Sequence, residues 1–149
     1  IHAGAPASKI KTIFDATMAY FDSKKDVLDE FNICTSHLST NCGYDLSFEP
    51  AFYYPDKKNL FHYRHVDDKD AALFRTHAEV PGATDAVKGM LHDLAHIFME
   101  HGAVNRQLGK FYPFQDAMAP DTYAVIKQIK AAVDPHCIMN PGALGLTKD

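Results

Sequence analysis

Cysteine is scarce in this chain. Cys34, Cys42 and Cys137 form an odd set with no metal-binding spacing, which excludes a disulfide framework and points to a reduced, cytoplasmic protein. No apolar run approaches the roughly 20 residues that span a bilayer, so no membrane span is expected. Lys and Arg do not cluster and the net charge is −4, which argues against a nucleic-acid partner. Glycine-rich phosphate-binding loops are also missing. The chain opens Ile1-His2-Ala3-Gly4-Ala5-Pro6, without an initiator Met or a leader's charged and apolar regions, and reads as a fragment cut from something longer.

What is present is ordinary for a globular domain. Apolar residues make up 46% and charged residues 23% of 149 positions, enough for one core. Helical spacing of Ile10, Phe14, Thr17 and Phe21 predicts a helix over 8–21, with Ser8 as its cap. A short helical turn is expected around Val27 and Leu28. Strands are expected over 31–38, over 44–54 and over 60–66, joined by turns at Asn41-Cys42-Gly43 and at 55–59. Pro50, which lacks a ladder donor, predicts an edge or a bulge. A brief helix is expected over 71–75.

Val87, Leu91, Leu94 and Phe98 then set the stripe of a helix over 84–101, ended by Gly102. A strand or strand pair is expected over 103–114. Pro120 and Asp121 open the last helix, whose stripe is Tyr123, Ile126, Ile129 and Val133. Pro135 stops that helix and an irregular strand is expected to follow. The sum is an α+β fold, a mainly antiparallel sheet with helices packed on it.

The segment from Ile129 to Gly145, Ile-Lys-Ala-Ala-Val-Asp-Pro-His-Cys-Ile-Met-Asn-Pro-Gly-Ala-Leu-Gly, carries more than a helix stop. Lys130, Asp134, Pro135, Ile138, Asn140, Pro141 and Gly142 match in register the ending of another group of proteins. The segment resembles the C-terminal part of FAD-linked oxidases of the vanillyl-alcohol oxidase and p-cresol methylhydroxylase superfamily, which also holds D-lactate and glycolate dehydrogenases. The resemblance implies a cap (substrate) domain over 1–133, incomplete on its N-terminal side, and a segment over 134–149 that returns to an FAD-binding domain absent from this chain. It also implies FAD as cofactor, held mainly by that domain or subunit, and a small-molecule substrate that gives a hydride to the flavin. The aromatics favour a phenolic or aromatic alcohol; a 2-hydroxy acid such as lactate or glycolate is the alternative. On this reading the isolated fragment is inactive. From another class, a non-catalytic α+β interaction subunit stays open, as does homo-oligomerisation.

Four residues are expected at the chemistry. Glu100-His101-Gly102 resembles a tripeptide that binds metal in the hydroxy-acid branch, but that branch's earlier Gly-His-x-Gly-Asp-Gly-Asn-x-His segment is missing; His101 is therefore a catalytic candidate without a metal. Aligning Gly102 with the family places Arg106 and Gln107 over a Tyr-Arg pair that faces the flavin. Arg106 suits two-point recognition of an anion. Tyr112 is the fourth candidate. Asn140, Pro141 and Gly142 are expected to touch the flavin, since an amide both donates and accepts. His92 and His96 have the spacing of a zinc-peptidase helix, but steps of about 100° turn both toward solvent. His62 and His65, three apart on an expected strand, would fall on opposite faces and share no metal.

Overall fold

The computed structural model describes residues 1–41, 43–74, 77–105 and 107–147, with the side chain of Asn41 left aside. Among these residues one four-stranded sheet forms, in the order β2-β3-β1-β4, with every neighbouring pair antiparallel. β1 (Ala3–Pro6) is not foreseen from the sequence, because alanine and glycine carry little strand preference. Their smallness instead suits the centre of the layer. Ala3 and Ala5 are buried under Ile13, Phe21, Leu94 and Phe98 of two helices, α1 (Ile10–Ser23) and α5 (Ala83–Glu100). This is the expected α+β architecture, with α1 and α5 covering one face of the sheet.

β2 (Cys34–Asn41) and β3 (Asp45–Tyr53) form a hairpin in register from Cys34 opposite Tyr53 to Asn41 opposite Leu46. Phe48, inward on β3, meets Phe14 and Phe98 edge-on at centroid distances of 6.1 and 6.0 Å. Pro50 lies in an interior strand, contrary to the simplest form of its expectation, yet the physics behind that expectation holds. β1 has ended at that level, and the Ile1 nitrogen donates to the Pro50 carbonyl at 3.3 Å. The missing N–H lies on the same side as that carbonyl, beyond the last rung of the β1–β3 ladder, so it breaks no rung.

The strand expected over 60–66 is not formed. Residues 60–66 begin with a helical turn, α3 (Leu60–Tyr63), because Asn59 caps it: its side chain accepts from the Phe61 amide, and His62 Nδ1 accepts from the Asn59 amide. His62 and His65 therefore are not strand residues, and both lie beside the Phe61 ring. The expected helix over 71–75 falls earlier, as α4 (Asp68–Ala71), and Arg75 lies outside the described residues. α2 (Lys25–Glu30) is the turn expected at Val27 and Leu28. Among the described residues of 103–114, only β4 (Val104–Asn105) pairs, against β1.

α5 follows its predicted stripe, with Val87, Leu94 and Phe98 buried and Met90 and Ala95 beside them. Its end is a Schellman turn. The Ala103 amide donates to the Phe98 carbonyl at 2.8 Å, the Gly102 amide donates to the Met99 carbonyl at 2.9 Å, and Gly102 takes φ 79°. A methyl group at Gly102 would meet nothing within 4 Å, so only the backbone conformation penalises it. Gly102→Ala is expected to lower the unfolding free energy by about 1 kcal/mol in urea titrations, and an unchanged midpoint would show that the turn is not strained.

α6 (Pro120–Val133) has the expected bounds, but of its stripe only Tyr123 is buried; Ile129 and Val133 are 58% and 72% exposed. The expected irregular strand beyond it is replaced by turns. Cys137, Asn140, Gly142, Leu144 and Gly145 all take positive φ, a conformation incompatible with a strand. No helix among the described residues is long and apolar enough to cross a membrane.

Candidate functional site

The chain leaves the sheet at β4 and immediately builds a cavity. Val104, Asn105, Gln107, Tyr112, Phe114, Ala117 and Met118 enclose about 130 Å³, mostly apolar. The position of Asn105 is set by β-register, since it stands opposite Ala3 on the central strand. Both polar atoms of its side chain are sealed from solvent, and neither has a hydrogen-bond partner. A buried amide in that condition costs stability, because its hydration is lost and nothing replaces it. The sequence carries little signal of this: an asparagine between a valine and an arginine reads as a routine strand position, and its inward parity follows only from pairing with β1, which composition hides.

Two of the four expected catalytic residues come together here. The Tyr112 hydroxyl donates to Gln107 Oε1 at 2.5 Å. Burial, reinforced by the nearby negative charge of Glu49, pushes the Tyr112 phenol above its ordinary pKa, while the His2 backbone pulls the other way. The phenol thus stays a donor through neutral and mildly alkaline pH. Glu49 is exposed on β3, and His2 Nε2 is hydrogen-bonded to Ser47 Oγ beside it. His101 is the C-cap of α5 and does not line the cavity. Arg106 lies outside the described residues, between two lining residues in sequence.

The tail is organised by one carboxylate. Asp134 is buried, accepts from the Ile138 and Met139 amides at 2.9 Å each, and pairs with Lys130, whose ammonium also donates to the Met139 carbonyl. The Lys130 hydrogen bond, then the backbone amides, hold Asp134 down to about 2 despite its burial. Lys130 and Asp134 thereby act structurally, folding the turn that presents Asn140. Asn140 and Pro141 are exposed, with Ile138 and Met139 75% and 66% exposed beside them. The tail is tied back to the cavity loop, since the Leu144 amide donates to the Gly109 carbonyl at 2.9 Å and the Tyr123 hydroxyl donates to the Leu144 carbonyl at 3.1 Å. At Gly145 a Cβ would come within 3.0 Å of Gln115 Oε1 and of the Tyr123 hydroxyl, so a side chain would prise this contact open.

The histidine pair of α5 is exposed. His92 stacks near Phe111 at 4.7 Å between centroids, and His96 Nδ1 lies 2.8 Å from the His92 carbonyl. Among the described residues no group of three or more His, Cys, Asp or Glu is placed to hold a metal.

Residues 56–144 match the family described as FAD linked oxidases, C-terminal domain, a stretch that runs from just after β3 to the turns of the tail. This chain belongs to that family. No match was found among curated proteins or among solved structures. The family uses FAD, and a 130 Å³ cavity is small beside the roughly 300–1,000 Å³ of pockets that enclose cofactors and drug-sized ligands.

Proposed function

We propose that the chain is the substrate side of an FAD-dependent oxidoreductase of the vanillyl-alcohol oxidase type. Residues 1–133 form the cap domain, and 134–149 return to an FAD-binding domain on another part of a longer chain or complex. The substrate is a phenolic or aromatic alcohol. FAD, when bound, accepts the hydride released from the substrate carbon. This chain contributes walls and orientation.

The observation that carries the reading is the cavity at the end of β4, apolar through Val104, Phe114, Ala117 and Met118 and headed by the Tyr112–Gln107 pair. An aromatic ring fits the first group and a ring hydroxyl the second. Arg106, adjacent in sequence, supplies positive charge for a phenolate or carboxylate. His101 caps α5 outside the cavity lining, so its expected part in proton transfer is not included in this reading. Asn140, Pro141 and Gly142 contact the flavin or its domain, and the exposed apolar side chains of α6 and the tail, Val125, Ile129, Val133, Ile138 and Met139, support that contact.

The test is co-expression with an FAD-binding polypeptide encoded next to this chain, followed by visible absorption. A flavin spectrum bleached anaerobically by aromatic alcohols is expected. Arg106→Ala is expected to keep the flavin and slow bleaching about 10- to 100-fold, the loss of one charge-assisted hydrogen bond. A colourless complex, or a flavin that no alcohol or hydroxy acid bleaches, would sink the proposal.

A further inference from the structure

The two edges of the sheet are guarded differently. β4 ends one side after two residues, too short to recruit a neighbour, whereas β2 ends the other with eight, and among the described residues no strand pairs with its outer side. β2 has none of the usual protections. It carries no Lys, Arg, Asp, Glu or Pro, and its register against β3 runs from Cys34 to Asn41 without a bulge. Its outward backbone groups follow from the pairing. The Ile1 nitrogen donates to the Pro50 carbonyl, so Pro50 faces β1, and His37, opposite Pro50, turns its N–H and C=O away from β3. Thr35 and Ser39, of the same parity, do likewise. The His37 ring meets Phe14 of α1 at 5.0 Å between centroids, so alternation places Leu38 on the opposite, uncovered face, where it is 62% exposed at mid-strand.

We propose that β2 pairs antiparallel with β2 of a second copy of this chain, about a two-fold axis at Leu38, so that the two sheets become one. In that register Leu38 faces Leu38 of the second copy as a non-hydrogen-bonded pair, the closer kind, and each covers the other's exposed apolar surface. His37 and Ser39 exchange backbone hydrogen bonds with Ser39 and His37 of the second copy, which uses the groups that point outward. A two-fold axis sets each residue near it against its own kind, so a fixed charge at mid-strand would meet itself; β2 has none. Moving the axis to His37 would set two imidazoles together and leave each Leu38 opposite a serine. Self-pairing is thus favoured over a foreign strand, because β2 holds no charge with which to select one, while its apolar centre is matched by its own image. The pairing does not depend on the flavin reading.

The experiment is sedimentation equilibrium of the 149-residue chain, with circular dichroism to confirm that each variant folds. At about 100 μM a mass twice the chain's 16.6 kDa is expected. Leu38→Lys sets like charges at the axis, and Ser39→Pro removes an outward N–H but no rung to β3; each is expected to weaken dimerisation at least about tenfold with the circular dichroism unchanged. With Cys34, Cys42 and Cys137 replaced by Ser, Leu38→Cys is expected to oxidise to a covalent dimer, because a non-hydrogen-bonded pair brings its Cα atoms within disulfide reach. Glu49→Cys, opposite Leu38 on β3 and one strand further from the axis, is expected to stay reduced in the same background. A monomer at that concentration, a dimer that survives both Leu38→Lys and Ser39→Pro, or no disulfide at position 38 would overturn the proposal. So would slow exchange of the His37 and Ser39 amides in a complex that holds a single copy of this chain, since another strand would then occupy the edge.

Discussion

Phe98→Ala is expected to destabilise the chain by about 3–5 kcal/mol, the usual loss for an aromatic ring deleted from a closed core. Phe98 is fully buried and sits against Phe48, in the cluster that also holds Ala3, Ala5, Ile13 and Leu94. Those residues come from β1, β3, α1 and α5, so the ring joins both layers. A domain of this size has only about 5–15 kcal/mol in total, and the variant should be partly unfolded at about 37 °C. The Phe98 carbonyl also accepts the Ala103 amide in the turn that aims β4 at the cavity. Loss of the ring should therefore loosen the binding site before the whole fold melts. Urea unfolding followed by far-ultraviolet circular dichroism checks the first claim, and amide exchange at Val104 and Asn105 checks the second. A loss below about 1 kcal/mol would mean that neighbouring side chains refill the space.

Acid should release the tail only as the pH falls toward about 2. The Asp134 carboxyl titrates near 2 in the folded chain, against about 3.9 in an unfolded one. The folded value is depressed, so the contribution is fully present above about pH 4 and is lost as the pH falls toward about 2. Protonation removes the charge that Lys130 faces and weakens acceptance from the Ile138 and Met139 amides. The amide shifts of Ile138 and Met139 should move with a midpoint near pH 2, and proteolysis after Asp134 should accelerate there. Asp134→Asn should abolish that titration and give a tail that is cleaved readily even at about pH 7. A midpoint near 4 in the wild-type chain, roughly the unperturbed carboxyl value, would show that the Lys130 pair contributes nothing.

The helices are legible where periodicity and punctuation agree. Pro120 and Pro135 bracket α6, and Gly102 ends α5, because backbone restriction at such residues acts locally and survives any tertiary context. The failures have equally local causes. Leu60 to Val66 looks like a strand by composition, but the Asn59 cap nucleates a helical turn. β1 is hidden because small residues at a sheet centre are chosen for closeness rather than strand preference. The stripe of α6 is real, yet Ile129 and Val133 stay largely exposed on this chain. At the site, Gln107 is reachable through the alignment of Gly102 with the family and Tyr112 only as a residue of an expected strand; the structure joins the two by a hydrogen bond. Asn105 is not reachable, since its isolation depends on a register between distant strands.

The central position of β1 also dictates an order of events. The β2–β3 hairpin closes over a turn of a few residues and can form within microseconds. β1 must wait, because its partners lie about 45 and about 100 residues further along the chain, and closing loops of that length costs entropy before any contact repays it. During synthesis, β1 leaves the ribosome before both of its partners and is thus among the last strands to be locked in place. Its Ala-Gly-Ala sequence suits that delay: a segment with so little apolar surface can stay exposed while the rest of the chain emerges, with little tendency to aggregate.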